Sequence, residues 1–288
     1  MYLFSTVFKM PLKKRAPNEN EMEVSDHDSS DSSDPSDFND HNEEIQVDFE
    51  GRMPIDSDFH GIRQLLTQLF PQSNINLQQL ADYIIGQNYV GSVVVQSEDD
   101  EDEDDDDVDM DDENVVFGFT TAINLMKTDV DCIKEVRNFL QEIANEKASD
   151  DLYEQLESIF DNPSNVVGFL LNERYINIPP QISVPLLESL VKEVAKAVKH
   201  EMPFKFTHYI MLLKFYKMSN KKDKGKVSPT YLNGEEEIFV QYASLDFDFA
   251  VHNESESDDG ENVPFRKVIV FEASKLPLII ESIKMFIE

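Results

Sequence analysis

The spacing of hydrophobic and polar residues predicts an ordered chain from about residue 45 onward. In IQVDFEGRM (45–53) apolar and polar residues alternate, which is the pattern of a half-buried strand. In DSDFHGIRQLLTQLF (56–70) the apolar residues recur three and four positions apart, and Asp56 or Asp58 is placed to cap the first turn of a helix. We therefore expect order to begin with a strand followed by a helix.

The rest of the chain alternates between these two patterns. Further helices are predicted at about 77–87, 130–146, 150–160, 182–199 and 275–287, and further strands at 91–97, 114–123, 166–171, 204–218, 236–251 and 265–273. The last three strands are long enough to pair as an antiparallel unit. These patterns predict an α/β (α+β) fold over 45–288, a single domain with a mixed, mostly antiparallel sheet flanked by helices.

One polar segment lies between the two strands predicted at 91–97 and 114–123. EDDEDEDDDDVDMDDE (98–113) has fourteen carboxylates in sixteen residues. Because such a run repels itself, it stays extended in water. We interpret it as an acidic loop inserted between ordered strands, and loops of this length usually have a function.

A second polar segment precedes the fold. Residues 1–44 are predicted to be a disordered, acidic, Ser-rich tail, because 16–44 contain few large apolar side chains to offset the entropy of ordering. Serines beside acidic residues match the preference of acidophilic kinases, and phosphorylation would add negative charge. The phosphorylation candidates are Ser25, Ser29, Ser30, Ser32, Ser33 and Ser97.

The charge balance narrows the classes of partner. The chain has 58 acidic and 25 basic residues and a formal net charge of −33. Residues 1–113 contain 30 acidic and 6 basic residues, and 114–288 contain 28 and 19. Nucleic acids and anionic membranes are disfavoured as direct ligands, since both are bound through Lys and Arg. A basic protein is the favoured partner.

No catalytic, cofactor-binding or metal-binding residues are predicted. The six histidines form no HxxxH, HExxH or HxH group, and no phosphate loop, dinucleotide-binding turn or nucleophile elbow occurs. The single cysteine, Cys132, is expected to be buried in a protein of a reducing compartment. Asp246 and Asp248 share one strand face, which is interpreted as a solvated face and not as an acid/base pair. The opening MYLFSTVFKM is interpreted as neither signal peptide nor anchor.

Four segments carry a resemblance to a known family. They are FGFTTAINL (117–125), VGFLLNERYINIPPQISVPL (167–186), DSDFHGIRQLLTQLF (56–70) and GQNYVGSVV (86–94). Together with the acidic tail and the acidic insertion, they resemble the BCCIP family of eukaryotic nuclear proteins over about 45–288. The resemblance implies a nuclear protein that shuttles to the cytoplasm and associates with centrosomes or spindle poles in dividing cells.

The resemblance also implies partners. The chain resembles fungal members that escort a basic large-subunit ribosomal protein and support nuclear export of a lipid kinase. Animal members resemble cofactors of DNA repair and cell-cycle control, named for binding the second breast-cancer susceptibility protein and a cyclin-dependent kinase inhibitor. Spindle-pole and microtubule components are further partners that the resemblance implies.

The fold implied by the resemblance is similar to the GCN-five-related N-acetyltransferases, but catalysis does not follow. Those enzymes bind the pyrophosphate of acetyl-CoA with backbone N–H groups of a glycine-rich turn. The corresponding turn here is NIPPQ, and Pro179 and Pro180 have no N–H to donate. The leading hypothesis is therefore a non-enzymatic adaptor and chaperone without a cofactor. The alternatives are an acetyl-CoA-binding, acetyltransferase-like protein and a scaffold for repair, cell-cycle and spindle proteins.

Two groups of residues are predicted to contact protein partners. The first group, ten carboxylates of the acidic loop, is predicted to shield a basic client, with the alternative that it only keeps the protein soluble. The second group, in NERYINIPPQ, is predicted to contact a partner. The alternative is a rigid turn, in which Arg174 pairs locally with a carboxylate and Tyr175 and Ile176 lie in the core. The candidates are Glu98, Asp99, Asp100, Glu101, Asp102, Glu103, Asp104, Asp105, Asp106 and Asp107 in the first group, and Asn172, Glu173, Arg174 and Tyr175 in the second.

Overall fold

The computed structural model describes residues 2–4, 48–97, 115–217, 229–251 and 263–287, and its strands form one mixed sheet. The strands in these ranges are β1 (Tyr2–Phe4), β2 (Phe49–Arg52), β3 (Ser92–Gln96), β4 (Gly118–Asn124), β5 (Val167–Arg174), β6 (His208–Lys217), β7 (Pro229–Tyr231), β8 (Leu245–Ala250) and β9 (Val263–Glu272). Their order across the sheet is β1-β2-β3-β4-β5-β6-β9-β8, and β7 pairs with β6 beside this path. The pairs are antiparallel except for β5 with β6, which confirms the predicted mixed, mostly antiparallel sheet.

Helices cover both faces of this sheet. They are α1 (Phe59–Leu69), α2 (Leu77–Gly86), α3 (Asp131–Lys147), α4 (Asp150–Asp161), α5 (Ser183–Lys199), α6 (Glu236–Gln241) and α7 (Leu276–Ile287). Side chains of α1 to α4 share one buried apolar cluster with the sheet, and those of α5 to α7 share another. Cys132 is buried in the first cluster, as predicted. The two apolar layers make the described part of the chain one domain.

One predicted strand is wrong over half its length. The segment 236–251 begins as α6, and only its second half forms β8. Ile238 and Phe239 are adjacent, and both are buried in the same apolar cluster. Because side chains of a strand alternate between faces, two neighbours cannot both pack on one side, whereas a helix permits it.

Two smaller predictions are also wrong. Asp58 does not cap α1, because its carboxylate accepts hydrogen bonds from the Arg52 guanidinium at 2.7 and 2.8 Å and from the Ile55 N–H at 2.8 Å. Tyr2–Phe4, included in the predicted tail, pairs as β1 with β2. The backbone of this β-prone stretch finds hydrogen-bond partners on an otherwise open strand edge.

Candidate protein-binding end of the sheet

Several strands begin or end at the same end of the sheet, which we call the loop end. Gly118 at the start of β4 pairs with Arg174 at the end of β5. β6 runs parallel to β5, and its last residue, Lys217, pairs with the first residue of β9, Val263. The last residue of β8 pairs near the start of β9. Chain register therefore brings the ends of distant segments together at one place.

Three of the four segments that join strands at the loop end are acidic in sequence, and the fourth, 218–228, is basic, with four Lys and one Asp. Residues 98–114 join β3 to β4, 218–228 join β6 to β7, 252–262 join β8 to β9, and 5–47 join β1 to β2. Phe49, the first residue of β2, pairs with both Phe4 and Gln96, so 5–47 also connect at this end. These four segments hold 31 acidic and 8 basic residues. Glu98 to Asp107 and the five tail serines lie in them, outside the described residues.

Buried ion pairs form the floor of the loop end. The Arg174 guanidinium donates to both carboxylate oxygens of Glu235 and, through Nε, to the Ile178 carbonyl at 3.1 Å. Lys214 Nζ lies 2.5 Å from Glu173 Oε2. All four ionic side chains are at least nine-tenths buried. Breaking such a pair leaves a buried charge without a partner, so these contacts hold the strand ends in fixed positions.

A further carboxylate lies in the same floor. Glu236 accepts a hydrogen bond from the Asn233 side chain at 2.8 Å, and its Oε2 has no hydrogen-bond partner among the described residues. Burial, with the nearby Glu173 carboxylate, raises the pKa of Glu236 from 4.5 to about 8. At neutral pH the folded protein therefore keeps this carboxyl largely protonated.

These ionic residues fill a gap between the two parallel strands. β6 pairs with β5 only over His208–Ile210 and with β7 over Phe215–Lys217. After β7, the Leu232 N–H donates to the Lys214 carbonyl at 3.0 Å, and the chain continues through Glu235 to α6. The space between the diverging ends of β5 and β6 thus contains the chain's own side chains.

The predicted binding residues of the NERYINIPPQ segment have different surroundings. Asn172, Glu173 and Arg174 are buried, and Tyr175 is half-buried. The partner of Arg174 is 61 residues away, so the predicted local pairing is wrong. Ile176, expected in the core, has a side chain that is 75% exposed. A contact role of this segment stays a prediction, and its accessible part is Tyr175 and Ile176.

The other residues named from the sequence form ion pairs or backbone hydrogen bonds within the fold. Asp246 and Asp248 lie on the outer side of β8 and pair with Lys267 and Lys217 at 2.7 and 2.6 Å. The Ser97 N–H donates to the Asp48 carbonyl, where the chain enters the acidic segment. Within the described ranges, no three His, Cys, Asp or Glu side chains are grouped to hold a metal ion, and no helix there is long and apolar enough to span a membrane.

Sequence reasoning missed an apolar surface next to the loop end. The final helix was predicted, but not that it exposes Leu278, Met285 and Phe286. The sequence signal was an excess of apolar residues: LPLIIESIKMFI has more of them than one face of a helix can bury.

Comparisons with known proteins agree with this fold. The BCCIP family model matches residues 44–258. The chain is 40% identical to "Protein BCCIP homolog" of Drosophila melanogaster over 85% of this chain and 86% of that protein. It is 32% identical to "BRCA2 and CDKN1A-interacting protein" of Homo sapiens over 85% and 82%.

A solved structure is similar as well. The crystal structure of BCP1 from Saccharomyces cerevisiae superposes with a TM-score of 0.58 at 20% identity, over 85% of this chain and 91% of that chain. At this identity the likeness establishes the fold alone, and it confirms the mixed α/β architecture. The likeness to N-acetyltransferases is not confirmed by these comparisons and stays a prediction.

Proposed function

Because the chain belongs to the BCCIP family, we propose that it is a nuclear adaptor that binds a basic protein and has no catalytic role. Members of this family have names of interacting proteins. The observation that carries the proposal is the placement of the charge. Four segments with 31 acidic and 8 basic residues join strands at a single end of the sheet.

This placement produces a directional field. Carboxylates gathered at one end of a domain attract a cationic partner and orient its approach far better than the same charges spread over the surface. The rigid floor of buried ion pairs keeps the anchor points of these segments at fixed separations. In our proposal the acidic run 98–113 shields the cationic surface of the partner, and the folded domain supplies specificity.

The partner classes follow from the relatives and from charge. The human and bovine relatives are named for interaction with BRCA2 and CDKN1A, and we extend to this chain repair and cell-cycle regulatory proteins as one class of partner. A basic large-subunit ribosomal protein is the second class, because its chemistry suits a polyanionic end. Export of a lipid kinase and binding at spindle poles rest on the family resemblance alone.

A pull-down from nuclear extract tests the proposal. Full-length protein is compared with a chain lacking 98–113 and with a control that keeps the length but replaces each Asp by Asn and each Glu by Gln. Partners are eluted over a salt gradient and identified by mass spectrometry. We expect the full-length protein to retain a basic protein that both altered forms lose or release at a lower salt concentration, because they lack the carboxylates of 98–113.

The same experiment separates a pure scaffold from an adaptor that shields its client. If all three forms retain the same repair or cell-cycle proteins at the same salt concentration, the acidic run only keeps the protein soluble, and the shielding role is refuted. Calorimetry with acetyl-CoA addresses the enzyme-like alternative: saturable heat would contradict a purely non-enzymatic adaptor.

A further inference from the structure

The last helix, α7, is apolar on its exposed side as well as on its buried side. Its buried side consists of Leu276, Ile279, Ile280 and Ile283. On the other side, Leu278, Met285 and Phe286 are 57%, 72% and 51% exposed. Leu278 and Met285 are seven positions apart, so they lie on one line along the helix, about 10 Å apart. We call these three residues the α7 ridge.

The α7 ridge is more than scattered exposure. Single exposed apolar side chains are normal on soluble proteins, whereas several on one element form a patch that usually contacts something. Among the described residues nine large apolar side chains are exposed, and three of them belong to this one helix of twelve residues. The fold itself does not use them, because the opposite side of α7 makes the core contacts.

The ridge extends to the loop end. The end of α7 lies beside the start of α5, because Lys284 contacts Glu188. The Phe286 ring lies beside Gly234, which immediately precedes Glu235, the buried partner of Arg174. Phe286 therefore lies next to the floor of the loop end.

Carboxylates outnumber cations beside the α7 ridge. The only cation of α7, Lys284, lies 2.6 Å from Glu188 and 2.7 Å from Glu281, and these hydrogen bonds raise its pKa. Glu237 on the neighbouring α6 is exposed. The free carbonyls at the carboxyl end of α7 add partial negative charge near Met285. Three carboxylates thus stand against Lys284 and Lys275, which directly precedes α7, and the charge beside this apolar surface is mixed with an excess of one carboxylate.

We propose that the α7 ridge docks the apolar side of a cationic amphipathic helix in the partner. This inference rests on the proposed function and locates the specificity that the folded domain supplies. A helix with apolar residues at i, i+3, i+4 and i+7 meets Leu278 and Met285 at matching spacing. Its flanking Lys or Arg residues meet Glu188, Glu237 and Glu281. A second copy of the chain is a poor occupant, because two chains of net charge −33 repel each other.

Two synthetic peptides of identical composition test the proposal. One places Leu at i, i+3, i+4 and i+7 with Lys between, and the other has the same residues in scrambled order. Fluorescence anisotropy against the full-length chain is expected to give about tenfold tighter binding of the patterned peptide, which is the effect of burying one large apolar side chain.

Matched variants locate the binding surface. Leu278→Ser with Met285→Ser is expected to reduce the affinity of the patterned peptide to that of the scrambled one. Met53→Ser with Ile55→Ser removes two side chains of similar exposure from a loop before α1, in the opposite layer, and is expected to leave both affinities unchanged. All four positions are exposed, so folding should persist, which thermal denaturation checks.

The methionine methyl resonances give a second readout that does not depend on the serine variants. With ¹³C-methyl labelling, the patterned peptide should shift the Met285 resonance, assigned by Met285→Leu, and leave the Met53 resonance in place. A shift at Met53 without one at Met285 would overturn the proposed docking surface. Self-association of the native chain that the α7 double variant abolishes would overturn it in favour of a second copy.

The docking role of α7 and the proposed function can be refuted separately. If neither peptide binds the native chain, the adaptor for a basic partner proposed above is refuted. If both peptides bind equally, or if the α7 double variant binds the patterned peptide like the native chain, the electrostatic function stands and the docking role of α7 is refuted.

Discussion

Replacing the buried Glu236 by Gln should stabilise the protein, and increasingly so as the pH rises. Burial and the nearby Glu173 carboxylate raise the pKa of Glu236 from 4.5 to about 8. Between these two values the folded protein keeps a proton that the unfolded chain has released, so raising the pH favours unfolding. Gln keeps an oxygen to accept from Asn233 but has no charge to bury.

The size of the effect follows from the shift. One pKa unit corresponds to about 1.4 kcal/mol, so the stability advantage of Glu236→Gln over the native chain should grow by roughly 3 to 4 kcal/mol between pH 5 and pH 8. Below the pKa of the unfolded chain, the Glu236 carboxyl is protonated in both the folded and the unfolded state, and the pH dependence from this group disappears. Other groups that titrate in both proteins cancel in the difference.

Urea denaturation at pH 5, 6.5 and 8 in 0.15 M salt measures this difference. The matched control is Glu237→Gln, which removes a carboxylate from the next position of the same helix, where the side chain is exposed. Its stability relative to the native chain should stay constant across the three pH values. If Glu236→Gln also gives a constant difference, the raised pKa and the buried charge on which it depends are refuted.

Three further predictions concern the floor and the fold. Arg174→Met strands the buried Glu235 carboxylate and should lower the free energy of unfolding by about 3–5 kcal/mol, whereas adding Glu235→Leu should restore most of it; thermal denaturation of the single and double variants measures both. Gly91→Ala should destabilise by about 1–3 kcal/mol, because φ is +129° and a Cβ would lie 2.7 Å from a threonine hydroxyl of β4, while Gly86→Ala, with open space around it, should change little; equal urea midpoints for the two alanine variants would contradict this reasoning. Cys132, fully buried and with its pKa raised by burial, should react with a thiol reagent only as fast as the chain opens, so a rate equal to that of the urea-unfolded chain would show that it is accessible.

Periodicity alone was sufficient for most of the elements. The helices at 77–87, 130–146, 150–160 and 182–199 occur within a residue or two of their predicted bounds. The reason is that the apolar residues of an amphipathic helix recur at the helical period, which is visible in the sequence. The segment 236–251 failed because it mixes β-prone residues with a short helix that is held in place by burial of Ile238 and Phe239. Such tertiary burial overrides local propensity.

The site divides in the same way. The acidic run and its charge can be read directly from the sequence, but not its position beside the attachment points of three other charged segments. That position follows from strand register, since pairs such as Gly118 with Arg174 and Lys217 with Val263 join residues far apart in the chain. Local periodicity carries no information about which strands pair, so neither the loop end nor the exposed side of α7 next to it could be assigned from sequence.

The sequence by itself determined a net negative charge and an amphipathic α/β domain, because composition and short-range spacing encode these properties. Membership of the family followed from the similarity of segments such as VGFLLNERYINIPPQISVPL (167–186). Only the tertiary structure decided which charges are solvated and which are buried. Arg174 and Glu235 are 61 residues apart and form one buried pair, while Glu236, one position further along, is left with a carboxylate oxygen that has no partner among the described residues. The physical reason is that burial and pairing energies depend on distances in space, and these distances are set only when the chain folds.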